Sequence, residues 1–161
     1  MIRPATPADV PEIVAMVYEL ADFERARDEC HLTEAQLRAS LFGPSPAVFC
    51  LVAEVDGQVA GMALWFLTYS TWEGVHGVYL EDLYVRPAAR GTGAGRALLR
   101  ALAAVCVERG YRRLEWAVLH WNPAREFYEH LGAAHKEDWL PYRLTGAPLE
   151  ALAASAGAPT S

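Results

Sequence analysis

Leu80-Glu81-Asp82-Leu83-Tyr84-Val85, followed four residues later by Arg90-Gly91-Thr92-Gly93-Ala94-Gly95, decides how this 161-residue chain is read. An apolar strand carries two adjacent acids, and the loop after it delivers a glycine-rich turn to the start of an apolar-periodic helix. At such a helix start, consecutive backbone N–H groups are free to bind an anion. Glycines at alternate positions let the backbone approach a pyrophosphate with no Cβ in the way. The acids upstream suit a cationic partner. A phosphate cradle beside carboxylates that handle an amine points to group transfer from a phosphorylated carrier to an amine.

The rest of the chain fits one compact domain. It is 53% apolar, enough for a substantial core. Its formal net charge of −6 and pI near 5.3 argue against nonspecific binding to nucleic acid or an anionic membrane. Cys30, Cys50 and Cys106 are an odd count without metal-ligand spacing, which suits free thiols in a reducing cytoplasm. The five histidines show no metal spacing either, so no metal is assigned. No apolar run is long enough to span a bilayer, and Met1-Ile2-Arg3 lacks a signal-peptide pattern.

Outward from the deciding stretch, Ile2 to Ala5 reads as a strand. Thr6 then caps a helix with Pro7 at its first position, running to about Phe23. A second helix opens at Thr33, with Gln36 completing a capping box, and ends before Gly43. Val48 to Val55 and Gln58 to Tyr69 form a hairpin about Asp56-Gly57, and Val78 to Val85 is the next strand. A helix from Thr92 to Arg109 buries Ala94, Ala97, Leu98, Ala101, Leu102 and Val105, and Gly110 stops it. A strand at Leu114 to Leu119, a helix at Pro123 to Leu131, a strand at Leu140 to Leu144 and a short helix at Pro148 to Ala153 follow. The order predicts an α+β fold over residues 1–154, with a small, polar, disordered tail from Ser155.

Taken together, these motifs resemble the Gcn5-related N-acetyltransferase family. The signature is an Arg or Gln followed by the glycine-rich turn after a long central strand, here Arg90 through Gly95. Trp121-Asn122-Pro123-Ala124 with Phe127-Tyr128 and Leu131-Gly132-Ala133 resembles the family's second cofactor motif. The segment Thr68 to Gly74, then Tyr79 to Asp82, with Trp139 and Arg143-Leu144, is similar to the diamine acetyltransferase subfamily. Ser70-Thr71 stands where polyamine acetylators of that subfamily tend to carry an Asp, as in its thialysine-preferring branch. One departure is the spacing from Asn122 to Tyr128, six residues where the family usually has seven.

The resemblance implies a mixed, mostly antiparallel sheet splayed at the cofactor site, with helices on both faces. It implies acetyl-CoA as cosubstrate, a small-molecule amine acceptor and a homodimer. Backbone groups of Leu83, Tyr84 and Val85 would hold the pantetheine arm and thioester carbonyl. The pyrophosphate would fall to Arg90, Gly91, Thr92, Gly93, Ala94, Gly95 and Arg96, with Asn122 and Ala124 completing the cofactor set. Tyr128 would also protonate the departing thiolate. A lysine-like amine with pKa about 10.4 is neutral in roughly one molecule in 10³ at pH 7, a barrier of about 4 kcal/mol. That calls for a base. Glu81 is the candidate, with Asp82 holding the cation and Phe23, Glu24, Trp72 and Glu137 walling the amine pocket.

Adjacent strand residues face opposite sides, so Glu81 and Asp82 share a site only across a bulge or splay. The unremarkable readings stand beside these: a solvated acid pair, an ordinary turn at Arg90 to Gly95, a core tyrosine at 128. Polyamine acetylation, protein acetylation and a silent acyl-CoA sensor remain the alternative activities.

Overall fold

The computed structural model describes residues 1–155. Residues 156–161, most of the expected disordered tail, lie outside the described residues. The chain divides into two compact units at Leu119/His120.

The first unit is a five-stranded sheet in sequence order. Its strands are β1 (Ile2–Pro4), β2 (Val48–Val55), β3 (Gln58–Ser70), β4 (Val75–Val85) and β5 (Leu114–Glu115). Three antiparallel pairings join β1 to β4, and β5 lies parallel to β4. The helices are α1 (Val10–Phe23), α2 (Glu34–Phe42) and α3 (Ala94–Arg109). Asp56 and Gly57, at φ 52° and 76°, make the left-handed turn that the Asp-Gly pair predicts for the β2–β3 hairpin. Thr33 and Gln36 exchange the reciprocal hydrogen bonds of a capping box at α2.

Alternation along β3 sends Met62 and Leu64 to one face, where they join Ile13, Met16, Leu37, Leu41, Cys50 and Val52 in a buried core under α1 and α2. Ala63 and Trp65 point to the opposite face, and the guanidinium of Arg109 at the end of α3 lies 5.9 Å over the Trp65 ring. Helices therefore cover both faces, as expected.

Several boundaries differ from the sequence reading, each for a physical reason. The first helix begins as a 3-10 turn at Pro7–Asp9, and α1 proper starts at Val10. Thr92 lies in the turn before α3, because Gly93 at φ 85° is the last left-handed residue before helical geometry sets in. The buried stripe of α3 is Ala94, Leu98, Leu99, Leu102 and Cys106, rotated away from Val105. β4 starts at Val75, three residues early, because the hairpin partner Ser70 extends the ladder. The strand expected at Leu114 to Leu119 lasts two residues, since pairing with β4 stops at Tyr79–Glu115.

The second unit contains α4 (Ala124–His130) and α5 (Gly146–Ala154). The strand expected at Leu140 to Leu144 does not form. Pro141 removes a ladder donor from its middle. Neither helix has a buried residue. Among the described residues, no helix is long and apolar enough to cross a membrane.

Candidate active site

The splay expected at the cofactor site is visible along β4. Its first half is paired on both sides, by β3 and, at Val78 and Tyr79, by β5. From Leu80 to Val85 only β3 pairs with it among the described residues, so the second edge, including Leu83, Tyr84 and Val85, carries no strand. Beyond this edge, Pro87–Ala89 makes a 3-10 turn, and Gly91 and Gly93 follow at φ 82° and 85°. No atom lies within 4 Å of a Cβ built on either glycine, so their left-handed backbone, not crowding, makes glycine the suitable residue. The turn aims the first N–H groups of α3, at Ala94, Gly95 and Arg96, outward. It is braced by the Thr92 hydroxyl, which donates to the Ala89 carbonyl at 2.6 Å. Arg96 is exposed. These groups fit a pyrophosphate-bearing cosubstrate, by their chemistry and by the open edge beside them.

Arg90 has a more specific place than its motif suggests. Its Nε donates to the Val85 carbonyl at 3.0 Å. The same guanidinium lies 5.8 Å over the Tyr84 ring and 5.9 Å over the Phe23 ring. It thus ties the phosphate turn to the end of β4 and to the end of α1. Burial first, and then the Glu19 carboxylate, push the Tyr84 phenol up. Arg86 anchors the same strand end through Nη1 to Glu12 at 2.6 Å and Nε to Glu19 at 3.1 Å.

The bulge that would let both acids serve one site is present. Leu64 pairs with Asp82 and Trp65 with Leu80, leaving Glu81 as the extra residue. Glu81 is exposed, whereas Asp82 is half-buried on the α1 face opposite Leu64. Burial, reinforced by the charges of Glu81 and Glu24, pushes the Asp82 carboxyl up to about 6. Burial and the Glu81 charge also raise Glu24. Glu24, Glu81 and Asp82, from the end of α1 and the middle of β4, therefore share one field, and among the described residues burial and like charge are the influences that shift Asp82 and Glu24.

Other expected residues fall elsewhere. Trp72 sits at the tip of the β3–β4 connection, 83% exposed. It lies beyond the start of β4 at Val75, which is itself about 20 Å along the strand from Glu81 at ~3.3 Å per residue. Within one chain, it is not brought beside the acids. In the second unit, Asn122 Oδ1 accepts from the Ala124 N–H at 2.9 Å and so serves the first free donor of α4. Tyr128 is half-buried, its ring centroid 5.5 Å from that of Phe127. Glu137 is exposed, 3.9 Å from His135.

The sequence missed Tyr79 and Glu115. Tyr79 pairs with Phe66 on β3 and Glu115 on β5, and burial, then Glu81 and Glu115, raise its phenol. Only a parallel register, invisible in local pattern, makes these residues neighbours.

The comparisons now bear directly on this geometry. Residues 14–133 match the Acetyltransferase (GNAT) family. This chain belongs to that family. The thialysine N-epsilon-acetyltransferase of Bos taurus is 38% identical over 165 residues, covering 95% of this chain and 96% of its own. The L-ornithine N5-acetyltransferase of Arabidopsis thaliana is 32% identical, covering 94% of this chain and 86% of its own. Among solved structures, an integron cassette protein of V. cholerae superposes with a TM-score of 0.79 at 26% identity, covering 95% of this chain and 96% of its own. The protein is an N-acetyltransferase of the GNAT family, with an α+β fold.

Proposed function

We propose that the protein transfers an acetyl group from acetyl-CoA to the primary amine of a small molecule resembling lysine, thialysine or ornithine. The observation that carries this reading is the uncompensated trio Glu24, Glu81 and Asp82 beside the open edge of β4. Such a trio attracts a cationic amine and favours its desolvation at the point where the cosubstrate's thioester would lie along Leu83 to Val85. The likeness to thialysine and ornithine acetyltransferases supports an amino-acid acceptor.

In this reading, the acceptor binds as an ammonium ion held by Asp82 and Glu24. Its proton passes to Glu81 through a water, and the neutral nitrogen forms the amide bond as the thioester C–S bond breaks. The leaving thiolate takes its proton from Tyr128, and the second proton shed by the acylated nitrogen restores the Tyr128 phenol. The turn from Arg90 to Arg96 binds the pyrophosphate, with Asn122 and Ala124 completing the cofactor contacts. Phe23, next to Glu24 at the end of α1, lines the amine pocket. Both units act as one domain, in a cytoplasmic homodimer. The free thiols Cys30, Cys50 and Cys106 suit a reducing compartment, and the exposed Trp139, Leu140 and Tyr142 suit a covered surface.

The test is coenzyme A release with thialysine, lysine, ornithine, putrescine and spermidine, each against a no-amine blank. Turnover led by the amino acids is expected. A preference for spermidine would refute the acceptor, and no turnover with any amine would refute the reading itself. Tyr128→Phe is expected to cut turnover and leave acetyl-CoA affinity unchanged; unchanged turnover would remove the acid assignment.

A further inference from the structure

We propose that Arg113 and Glu115 bind the α-carboxylate and α-ammonium of an amino-acid acceptor, so that one face of β3–β4–β5 reads both ends of the substrate. The inference rests on the amine-acetylation reading above and assigns the part of the acceptor remote from the reacting nitrogen.

Register supplies the first argument. Leu64 lies opposite Asp82, and Phe66 lies opposite Tyr79, which in turn pairs with Glu115. Residues paired across a ladder share a face, and so do alternate residues on one strand. Asp82, Tyr79 and Glu115 therefore project from the same side of the sheet, and Arg113, just before β5, joins them through its contact with Glu115. The electrostatics agree, since the Tyr79 phenol feels both the Glu81 and the Glu115 charge. Between the two charged ends, the half-buried rings of Phe66 and Tyr79, 5.1 Å apart, form an apolar floor. From Tyr79 to Asp82 is three residues of β4, about 10 Å at ~3.3 Å per residue. An extended lysine-like chain, with the reach of the flanking side chains, bridges that span.

The second argument is chemical. Arg113 Nη1 stands 3.9 Å from Glu115 Oε1, and both side chains are nearly half exposed, so each retains capacity for a charged group of opposite sign. Arg112 is already committed, to Glu73 at 3.2 Å. Beside Arg113 the chain packs tightly at Gly77, where a Cβ would lie 2.9 Å from Thr68 Oγ1 and 3.1 Å from the Arg113 carbonyl. Thr68, Gly77, Arg113 and Glu115 line an open surface hollow there. A cation and an anion side by side at the end of an apolar floor match the zwitterionic head of an amino acid. A diamine of equal length offers an ammonium to Glu115 but no carboxylate to Arg113, so half of the charge pairing is lost.

The decisive experiment compares L-lysine with cadaverine, its decarboxylated counterpart, as acceptors for the full chain and for Arg113→Gln, Arg113→Lys and Glu115→Gln. Arg113→Gln is expected to lower kcat/KM for lysine by roughly tenfold to a hundredfold through KM, while cadaverine changes by less than about twofold. Arg113→Lys should recover part of the lysine loss, whereas Glu115→Gln should weaken both amines, because cadaverine keeps the ammonium that Glu115 holds. Melting temperatures should stay level, because both side chains are exposed enough to leave the core untouched. Equal losses with both amines in Arg113→Gln, or no loss with either in Arg113→Gln and Glu115→Gln, would overturn the assignment while leaving amine acetylation standing. If the unaltered protein acetylates neither amine, the underlying reading falls and takes this one with it.

Discussion

Asp9 and Asp82 are both withdrawn from water on the α1 side of the sheet, yet their carboxyls move in opposite directions. Asp9 is 6% exposed and receives two hydrogen bonds from Arg3, at 2.7 and 3.0 Å, with a third from the Thr6 N–H. Arg3 also grips Glu54, so the cluster closes on itself, and Arg3 holds the Asp9 carboxyl down at about 2. Asp82 has two carboxylates for neighbours, and burial with their charge lifts it to about 6. The difference teaches where to look for a site. A carboxylate cluster whose cation is part of the chain fastens the fold; one whose cation is missing waits for a substrate.

Exchanging the two roles is the strongest way to break this comparison. Asp82→Asn is expected to lower kcat/KM for the amine by about 10²-fold or more, because it removes charge and proton-accepting capacity from the site. The same change should raise the melting temperature, since it relieves buried repulsion. Steady-state kinetics beside a thermal melt reads both. A fall in stability with intact activity would reverse the comparison.

Asp9→Asn should do the opposite. It removes one of the two carboxylates that hold Arg3 and costs about 2–3 kcal/mol, lowering Tm by roughly 5–10 °C, with the amine KM unchanged. Denaturant or thermal unfolding measures it.

The pH dependences carry opposite signs. Asp9, lowered from 3.8 to about 2, stabilises the fold above its ordinary value, and that contribution is lost as pH falls through this window. Asp82, raised from 3.8 to about 6, instead lowers stability as pH rises from 3.8 to 6, because the fold retains a proton that the unfolded chain releases. Amine use should follow Asp82 ionisation. kcat/KM is expected to fall about tenfold per pH unit below a limb near 6, beyond the loss expected from the acceptor's own titration. A profile with no such limb would remove Asp82 from amine binding.

Gly93→Ala is the smallest perturbation and lies outside both clusters. Placing a Cβ at φ 85° costs about 1–2 kcal/mol. It should raise the KM for acetyl-CoA and leave the amine KM alone, which separates the phosphate turn from the acid trio.

Much of the fold and part of the site were legible in the residues. Asp56-Gly57, the Thr33–Gln36 box and Gly110 each fix a local backbone state that the structure reproduces. The Leu80 to Gly95 stretch marked the strand and the glycine turn after it, because strand, adjacent acids and turn are contiguous, whereas the bulge at Glu81 was implied only by the family resemblance. The strand limits were not legible. β5 ends at Glu115 because its partner edge opens, and Leu140 to Leu144 looked like a strand although Pro141 breaks its ladder. Tyr79, Arg113 and Glu115 escaped because no local period links β4 to a parallel strand some 35 residues later.

By itself, the sequence determined the local states, the family and the class of reaction, since these depend on residue types at short fixed spacings. The tertiary structure alone decided which charges compensate one another. Arg3 reaches Asp9 and Glu54 across the β1–β2 register, whereas Glu24, Glu81 and Asp82 meet where α1 ends over the β4 bulge. A carboxylate's work depends on its burial and on the sign of the nearest charge, and both are set by which strands and helices come together.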